Sequence, residues 1–133
     1  MVLSERRTVV DLLTAARARL ARLEPAAAHE AIARGALVVD TRCSDTRRTT
    51  GIIPGSVHFP LSVLYWRLAP GSGRRHVRPA DRDRQVIVVC AHGYSSSLAA
   101  ATLIDLGFAR ATDLVGGFEA WAAAGLPLES APD

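Results

Sequence analysis

The first apolar pattern along the chain has helical spacing. Apolar residues recur every three or four positions near the start, with arginines on the other side: Val9, Leu12, Leu13, Ala16 and Leu20. This spacing predicts an amphipathic helix from about Ser4 to Arg19. We expect its apolar face to pack on the chain's own domain, in preference to a second copy or a membrane.

A second helix is predicted after a short extended stretch. Residues Leu20 to Glu24 precede Pro25, whose fixed φ suits the first position of a helix. We expect this helix to run to Arg34, because Gly35 can end it there.

Two short apolar runs then predict buried strands. Ala36 to Asp40 and Gln85 to Cys90 are rich in β-branched residues and show no alternation of apolar and polar positions. Such runs are typical of strands that are covered on both faces. The stretch from Pro70 to Arg84 is rich in Gly, Pro and Arg, and we expect it to be an exposed connection.

The C-terminal part of the chain alternates between helix and strand patterns. A helix is predicted from Leu98 to Leu106, a brief strand from Thr112 to Val115, and a last helix through Trp121 after the turn at Gly116 and Gly117. Strands that alternate with helices in this way predict an α/β fold with a parallel sheet.

Composition narrows the class of protein. The 133 residues are 49% hydrophobic, which is enough for one domain to form a core without a metal or disulfides. Two cysteines are too few for a disulfide framework, and Cys and His do not occur at zinc-ligand spacing. We therefore expect a reduced, cytoplasmic setting and no bound metal.

The charge pattern argues against a membrane or nucleic-acid partner. Charged residues interrupt the N-terminal apolar positions, so no signal peptide or membrane-spanning segment is expected. The formal net charge is only +3, with Arg as the basic residue throughout and no Lys. A balance this modest is weak support for nucleic-acid binding, and none is expected.

The clearest chemistry lies in the segment VIVVCAHGYSSSLAAATL, where a predicted strand ends at Cys90 and a helix begins near Ser95 or Ser96. Ligands of open parallel sheets bind beyond the carboxyl ends of the strands. The loop amides and the positive end of the helix dipole both favour a thiolate over a thiol. A free cysteine has a pKa of roughly 8.5, which such a position lowers.

Two residue types in this loop suit an anion cradle. Gly93 lets the backbone turn tightly, and the serines from Ser95 onward can cap the helix while offering hydroxyls. On its strand alone, Cys90 would be expected to be a small packing residue. The loop that follows favours a reactive thiol instead.

Four segments of the chain resemble motifs of one family in order and spacing. They are LVVDTR at 37–42, GIIPGSVHFP at 51–60, CAHGYSS at 90–96 and DLVGGFEAWAAAGLPL at 113–128. The family is that of the rhodanese-like domains, and the third segment resembles its active-site loop. The similarity covers about residues 20–128.

The resemblance implies an architecture. The expected fold is a three-layer α/β fold, with a central, mostly parallel sheet and helices on both faces. The rhodanese-like domain is expected at 20–128, between an N-terminal amphipathic helix extension at 1–19 and a C-terminal tail at 129–133.

The resemblance also implies a sulfurtransferase. Cys90 is the expected catalytic nucleophile, which takes a sulfane sulfur from thiosulfate or a persulfide and passes it, as a Cys90 persulfide, to a thiol or cyanide. Arg42 is expected to orient an anionic donor, with Asp40 as its structural partner. The other expected substrate-binding residues lie in the loop: Ala91, His92, Gly93, Tyr94, Ser95 and Ser96. No cofactor is implied, and the oligomeric state and a protein sulfur-relay partner are left open.

Departures from the family pattern keep two other functions open. Many single-domain members carry Arg five positions after the Cys, where this chain has Ser95, although some have a hydroxyl residue there. A non-catalytic module that binds a partner or senses redox state is therefore the second hypothesis. A Cys-dependent phosphatase or arsenate reductase is the third, disfavoured because the Arg that would hold the oxyanion is Ser96 here.

Two further side chains have two readings each. His92 either tunes the thiolate or is simply solvated. Cys43 either resolves a Cys90 persulfide into a disulfide or is an incidental thiol, and sequence does not give the distance between the sulfurs.

Overall fold

A computed structural model of the chain describes residues 6–69 and 82–132. The helices in these ranges are α1 (Val9–Arg17), α2 (Pro25–Ala33), α3 (Ser44–Thr50), α4 (Leu64–Leu68), α5 (Ser95–Asp105) and α6 (Gly117–Ala123). The strands are β1 (Leu37–Asp40), β2 (Val57–His58), β3 (Val86–Val89) and β4 (Ala111–Asp113).

The strands form one parallel sheet in the order β2-β1-β3-β4. In the central pair, Asp40 at the end of β1 lies opposite Val89 at the end of β3. On the other side, Val88 of β3 lies opposite Asp113, the last residue of β4. Cys90 therefore leaves the sheet between two aspartates, at the edge where ligands of parallel sheets bind.

Both central strands are buried throughout, as their apolar composition predicts. Alternate residues enter two separate cores, because successive side chains of a strand point to opposite faces. Val39 and Val88 join one core with Leu103 of α5, whereas Val38 and Ile87 join the other with helices α2 and α6. The predicted three-layer α/β fold is thus confirmed.

The first helix begins later than its apolar pattern predicts. The described part of the predicted start, residues 6–8, is not helical, and α1 begins at Val9. Thr8 accepts a hydrogen bond from the Asp11 amide, and the Asp11 carboxylate accepts one from the Thr8 amide. This reciprocal cap fixes the start, so the prediction of a helix from Ser4 is wrong over residues 6–8, and Ser4 itself lies outside the described residues.

Helix α1 packs along α5, as expected of an apolar face that contacts its own domain. Ala16 is buried there, but Val9 and Val10 are mostly exposed, so the contact covers only part of the apolar stripe. In the described ranges, no helix is long and apolar enough to span a membrane.

The spacing of apolar residues does not predict the short elements between β1 and β3. The sequence of α3 is SDTRRTT, which has no apolar periodicity, and β2 is only two residues long. Most of the predicted connection from Pro70 to Arg84 lies outside the described residues. The tail predicted from position 129 contacts the domain at its first residue, since Glu129 and Ile52 exchange two backbone hydrogen bonds.

Candidate active site

Cys90 lies at the carboxyl end of β3 and is almost fully buried, with 7% of its surface exposed. Four residues separate it from α5, which begins at Ser95. The loop folds back over the sulfur, so that the Gly93 amide donates a hydrogen bond to Sγ at 3.1 Å. The expected strand, loop and helix therefore form a cradle with the sulfur inside it.

The surroundings of Cys90 favour its thiolate. Burial of the sulfur is the largest single influence and raises the pKa of the thiol. Hydrogen bonds from the hydroxyls of Ser96 and Ser95 and from the amides of Ser96 and Gly93 lower the pKa, and together they outweigh burial. The pKa of Cys90 thus lies below its ordinary value, as a nucleophilic cysteine requires.

Glycine is the residue type that fits position 93 of the loop. Its φ of +86° is a left-handed conformation that L side chains rarely adopt. A Cβ there would lie 2.8 Å from the Gly116 amide nitrogen and 3.1 Å from that of Gly117. The Gly116–Gly117 turn and the Cys90 loop are therefore pressed together, which explains why both need glycine.

The start of α6 holds two carbonyls of the loop. The Phe118 amide donates to the Cys90 carbonyl at 2.8 Å, and the Glu119 amide donates to the Ala91 carbonyl at 3.1 Å. A Cβ at Gly117 would lie 2.6 Å from that same Cys90 carbonyl oxygen. The close approach of α6 thus engages these carbonyls, and the loop amides stay available for the sulfur.

Two arginines from the N-terminal segment hold a third carbonyl. Arg17 of α1 donates from Nη2 to the Gly93 carbonyl at 2.7 Å, and Arg22 donates to the same oxygen at 3.1 Å. Arg17 also donates from Nε to the Ser97 hydroxyl at 3.1 Å. The N-terminal segment therefore contacts the reactive loop directly.

Asp113, at the end of β4, supports this arrangement. Its carboxylate is completely buried and accepts two hydrogen bonds from Arg22, at 2.8 and 3.1 Å. It also accepts from the hydroxyls of Ser96 and Ser97, each at 2.7 Å. A hydroxyl has one proton, so when Ser96 donates to Asp113 the thiolate depends on Ser95 and the two amides.

Arg42 is held by a second buried carboxylate, that of Asp40. Its guanidinium donates from Nε and Nη2 to Asp40, from Nη2 to the Gly51 carbonyl and from Nη1 to the Thr50 hydroxyl. Arg47 also donates to Asp40, at 3.2 Å. Four of the five N–H groups of Arg42 are thus engaged, and its guanidinium carbon lies 3.6 Å from the centre of the Phe118 ring.

A cavity of about 440 Å³ opens beside the Arg42 network. Ala91 and His92 of the loop line it on one side, and Nδ1 of His92 lies 2.9 Å from the Glu119 carboxylate. The remaining walls are formed by Arg42, Thr46, Thr50, Phe118, Glu119 and Ala122. The cavity is large enough for a small anion or the end of a thiol substrate.

The structure brings most of the predicted site residues together. Gly93, Ser95 and Ser96 surround the Cys90 sulfur, and the residues of the cavity wall include Arg42. Tyr94 is 62% exposed and does not line the cavity, and the centre of its ring lies 5.7 Å from the Arg17 guanidinium carbon. Cys43 is exposed at the start of α3, where it shares a hydrogen bond with Thr46.

Sequence reasoning missed Arg17, Arg22 and Asp113. Arg17 and Arg22 lie 76 and 71 residues before Gly93 in the chain, and no local pattern joins residues so far apart. Asp113 lies inside the predicted strand from Thr112 to Val115, so its place at the end of β4, beside the Cys90 loop, is not predicted either. Among the described residues, no group of His, Cys, Asp and Glu could hold a metal ion.

Residues 24–124 match the family model of the rhodanese-like domain. Curated relatives include the thiosulfate sulfurtransferase GlpE of Pseudomonas savastanoi, 37% identical over 102 residues that cover 77% of this chain and 87% of the relative. The protein of the same name from Ectopseudomonas mendocina is 38% identical over 110 residues, or 83% and 91% of the two chains.

Solved structures extend the likeness to the N-terminal segment. A protein of unknown function from Rhodopseudomonas palustris, described as a possible tyrosine phosphatase, matches with a TM-score of 0.85 and 30% identity. The match covers 97% of this chain and 99% of that one, so it reaches α1. A polysulfide-sulfur transferase homodimer from Wolinella succinogenes shares the fold, with a TM-score of 0.72, 24% identity and coverage of 90% and 85%.

Proposed function

The chain belongs to the rhodanese-like domain family, and we propose that it is a sulfurtransferase whose Cys90 carries the transferred sulfur as a persulfide. The observation that carries this proposal is the cradle itself. The Gly93 amide lies 3.1 Å from Sγ, and hydrogen bonds lower the pKa of the thiol despite its burial. Such a site both activates a thiolate and holds the negative charge of a persulfide.

In the first half-reaction the Cys90 thiolate attacks the sulfane sulfur of a donor. With thiosulfate, a new S–S bond forms to Cys90, the donor's own S–S bond breaks, and sulfite leaves with the bonding electron pair. The negative charge then rests on the outer sulfur of the persulfide. The loop amides favour this step because their N–H groups donate hydrogen bonds to the sulfur without giving up a proton.

In the second half-reaction an acceptor thiolate or cyanide attacks the outer sulfur. The bond from Sγ to that sulfur breaks, and Cys90 leaves as a thiolate with the electron pair. A low pKa makes Cys90 a good leaving group, so the contacts that activate attack also promote release. The loop contacts are therefore the same in both half-reactions.

The substrate contacts are proposed from the cavity. Ala91 and His92 line it beside the loop, and Arg42 contributes positive charge to its wall for an anionic donor. Asp40 serves as the support that orients Arg42, through hydrogen bonds of 3.1 and 2.9 Å. The amides of Gly93 and Ser96 and the hydroxyl of Ser95 hold the reacting sulfur.

Phosphatase chemistry fits this site less well. The position where a guanidinium would hold the tetrahedral oxyanion is Ser96, whose hydroxyl is bonded to Asp113. Arg17 and Arg22 reach the loop, but both donate to the Gly93 carbonyl, so these N–H groups are engaged by the backbone. A binding or redox-sensing module without turnover is the alternative that the experiment below addresses.

We also propose a cytoplasmic setting, in which both cysteines stay reduced, and residues 20–128 as the catalytic domain after an N-terminal extension. Small thiols and a protein thiol in a sulfur relay are both suitable acceptors. The cavity of about 440 Å³ beside the loop has room for an acceptor larger than cyanide.

Intact mass measures the proposed intermediate directly. The wild-type protein is incubated with thiosulfate, and separately with glutathione persulfide, and then with cyanide or a thiol. We expect a gain of one sulfur, about 32 Da, that disappears with the acceptor. Cys90→Ser should lose the adduct, whereas Cys43→Ser, the matched control at the exposed cysteine, should keep it. A folded wild type without an adduct from either donor would support the non-catalytic module instead.

A further inference from the structure

The N-terminal segment reaches the active site although it precedes the matched domain. The family model begins at residue 24, whereas Arg17 and Arg22 lie before it and both bind the Gly93 carbonyl. The loop from 90 to 96 contains no Arg or Lys, and its His92 lies against Glu119. The permanent positive charges that contact the loop carbonyl therefore come from outside the stretch that the family model matches.

The two arginines fix the peptide that joins Gly93 to Tyr94 in the reactive loop. A trans peptide is planar, so its N–H points away from its carbonyl. With the Gly93 carbonyl held by two guanidiniums, the Tyr94 N–H points away from them. Hydrogen bonds to a carbonyl also polarise its peptide and strengthen the N–H as a donor.

The two arginines differ in how their charge is balanced. Arg22 is paired with the buried carboxylate of Asp113. Among the described residues, the contacts of Arg17 are all with neutral groups: the Gly93 carbonyl, the Ser97 hydroxyl and the Tyr94 ring. The charge of Arg17 is thus not neutralised by its contacts, and it lies against the loop that holds the thiolate.

We propose that Arg17 is a positioning residue for sulfur transfer at Cys90. It holds the Gly93 carbonyl of the reactive loop and places beside the loop a positive charge that attracts anionic sulfur donors. The inference rests on the proposed function for its substrate, but the effect of Arg17 on the thiolate is measurable without sulfur transfer. Helix α1 then contributes Arg17 to the active site in addition to packing against α5.

Alkylation of Cys90 with two reagents separates charge from structure. Iodoacetate is an anion and iodoacetamide is neutral, and both react with the thiolate. In Arg17→Met we expect the rate with iodoacetate to fall about fivefold more than the rate with iodoacetamide, because the lost charge affects the anion. Arg17→Lys, which keeps the charge, should restore most of that ratio. Cys43→Ser serves as the background, so that Cys90 is the thiol followed.

Arg19→Met is the matched control, since Arg19 lies two residues further along and forms an exposed ion pair with Asp105. It should leave the ratio of the two rates unchanged. Thermal unfolding confirms that each variant is folded at the assay temperature. A ratio unchanged in Arg17→Met, or changed equally in Arg19→Met, would overturn the proposal.

The kinetics of sulfur transfer provide a second measurement of the effect of Arg17. Arg17→Met should lower kcat/KM for thiosulfate by about tenfold, which is less than the 10²- to 10³-fold loss on removal of a direct oxyanion donor. If the wild type forms no persulfide at all, the proposed function fails while the alkylation ratio still tests Arg17. If the ratio is unchanged but the wild type transfers sulfur, only the inference about Arg17 fails.

Discussion

Two buried aspartates flank the strand that ends at Cys90, and they support different parts of the site. Asp40 ends β1 and is bonded by Arg42 and Arg47, which lie two and seven residues further along the chain. Asp113 ends β4 and is bonded by Arg22, which lies 91 residues away. The first network is built within one segment of chain, whereas the second joins the ends of the fold.

Asp40 and Asp113 differ in the kind of hydrogen-bond partner as well as in its distance along the chain. Asp40 faces two guanidiniums whose side chains are only 3% and 7% exposed, and it supports the cavity wall. Asp113 faces one guanidinium and two serine hydroxyls, and it supports the loop around the sulfur. Loss of Asp40 should therefore affect stability most, and loss of Asp113 should affect reactivity most.

The largest effect is expected from Asp40→Ala. It leaves two buried guanidiniums without a counter-charge, and removal of one partner of a buried ion pair costs about 3–5 kcal/mol. Urea unfolding measures this free energy. Asp113→Ala should cost less, because the Arg22 side chain is 17% exposed and can regain some hydration. Equal losses in the two variants would contradict the contrast drawn between the networks.

Asp113→Asn is the next test, and it addresses reactivity. The amide keeps the shape of the side chain but loses the charge that binds Arg22, a hydrogen-bonded contact worth about 1.5–3 kcal/mol. We expect persulfide formation to slow by about tenfold in the folded protein, since a loop that is held less firmly offers its amides less well. Asp40→Asn, assayed on its folded fraction, should slow the same step less.

Ser95→Ala should raise the pKa of the Cys90 thiol, because it removes a hydroxyl that donates to the sulfur. The alkylation rate plotted against pH should keep its plateau at high pH and shift its midpoint upward. Thr50→Val is the matched change on the other side, where the hydroxyl accepts from Arg42. It should leave the midpoint in place, and a shift of equal size would show that the two networks are not separate.

The smallest effect is a pH dependence of stability that Cys90 contributes. The folded state lowers the pKa of its thiol, so the unfolded state binds more protons between that pKa and the ordinary value of roughly 8.5. The contribution is full above the unfolded pKa and is lost as the pH falls through the folded pKa. The stability difference between wild type and Cys90→Ser should therefore shift in favour of wild type as the pH rises through this window. A difference that is flat with pH would contradict the lowered pKa.

The local network was within reach of sequence reasoning, and the distant one was not. Asp40 and Arg42 lie two residues apart at the end of an apolar run, so their partnership could be expected. The strand that ends at Cys90 and the glycine in its loop have equally local signals. Arg22 and Asp113 meet although helices α2 to α5 and strands β1 to β3 lie between them in the chain, and no pattern in the chain predicts that contact.

Errors at the level of single elements also have physical causes. The start of α1 was predicted too early because apolar spacing gives no boundary, although Thr8 and Asp11 carry the signature of a capped start. Helix α3 has seven polar residues and is held by its place beside Asp40, where Arg47 is buried. Its stability comes from tertiary contacts that its own sequence does not display.

The long separation between Arg22 and Asp113 also orders events during synthesis of the protein. The ribosome delivers Arg17, Arg22 and Cys90 well before Asp113 and the Gly116–Gly117 turn emerge. A nascent chain that ends before β4 lacks the carboxylate that anchors the loop and the amides of α6 that hold its carbonyls. In such a chain the loop around Cys90 is without these supports, so we expect the low pKa of the thiol only once β4 and α6 have joined the fold.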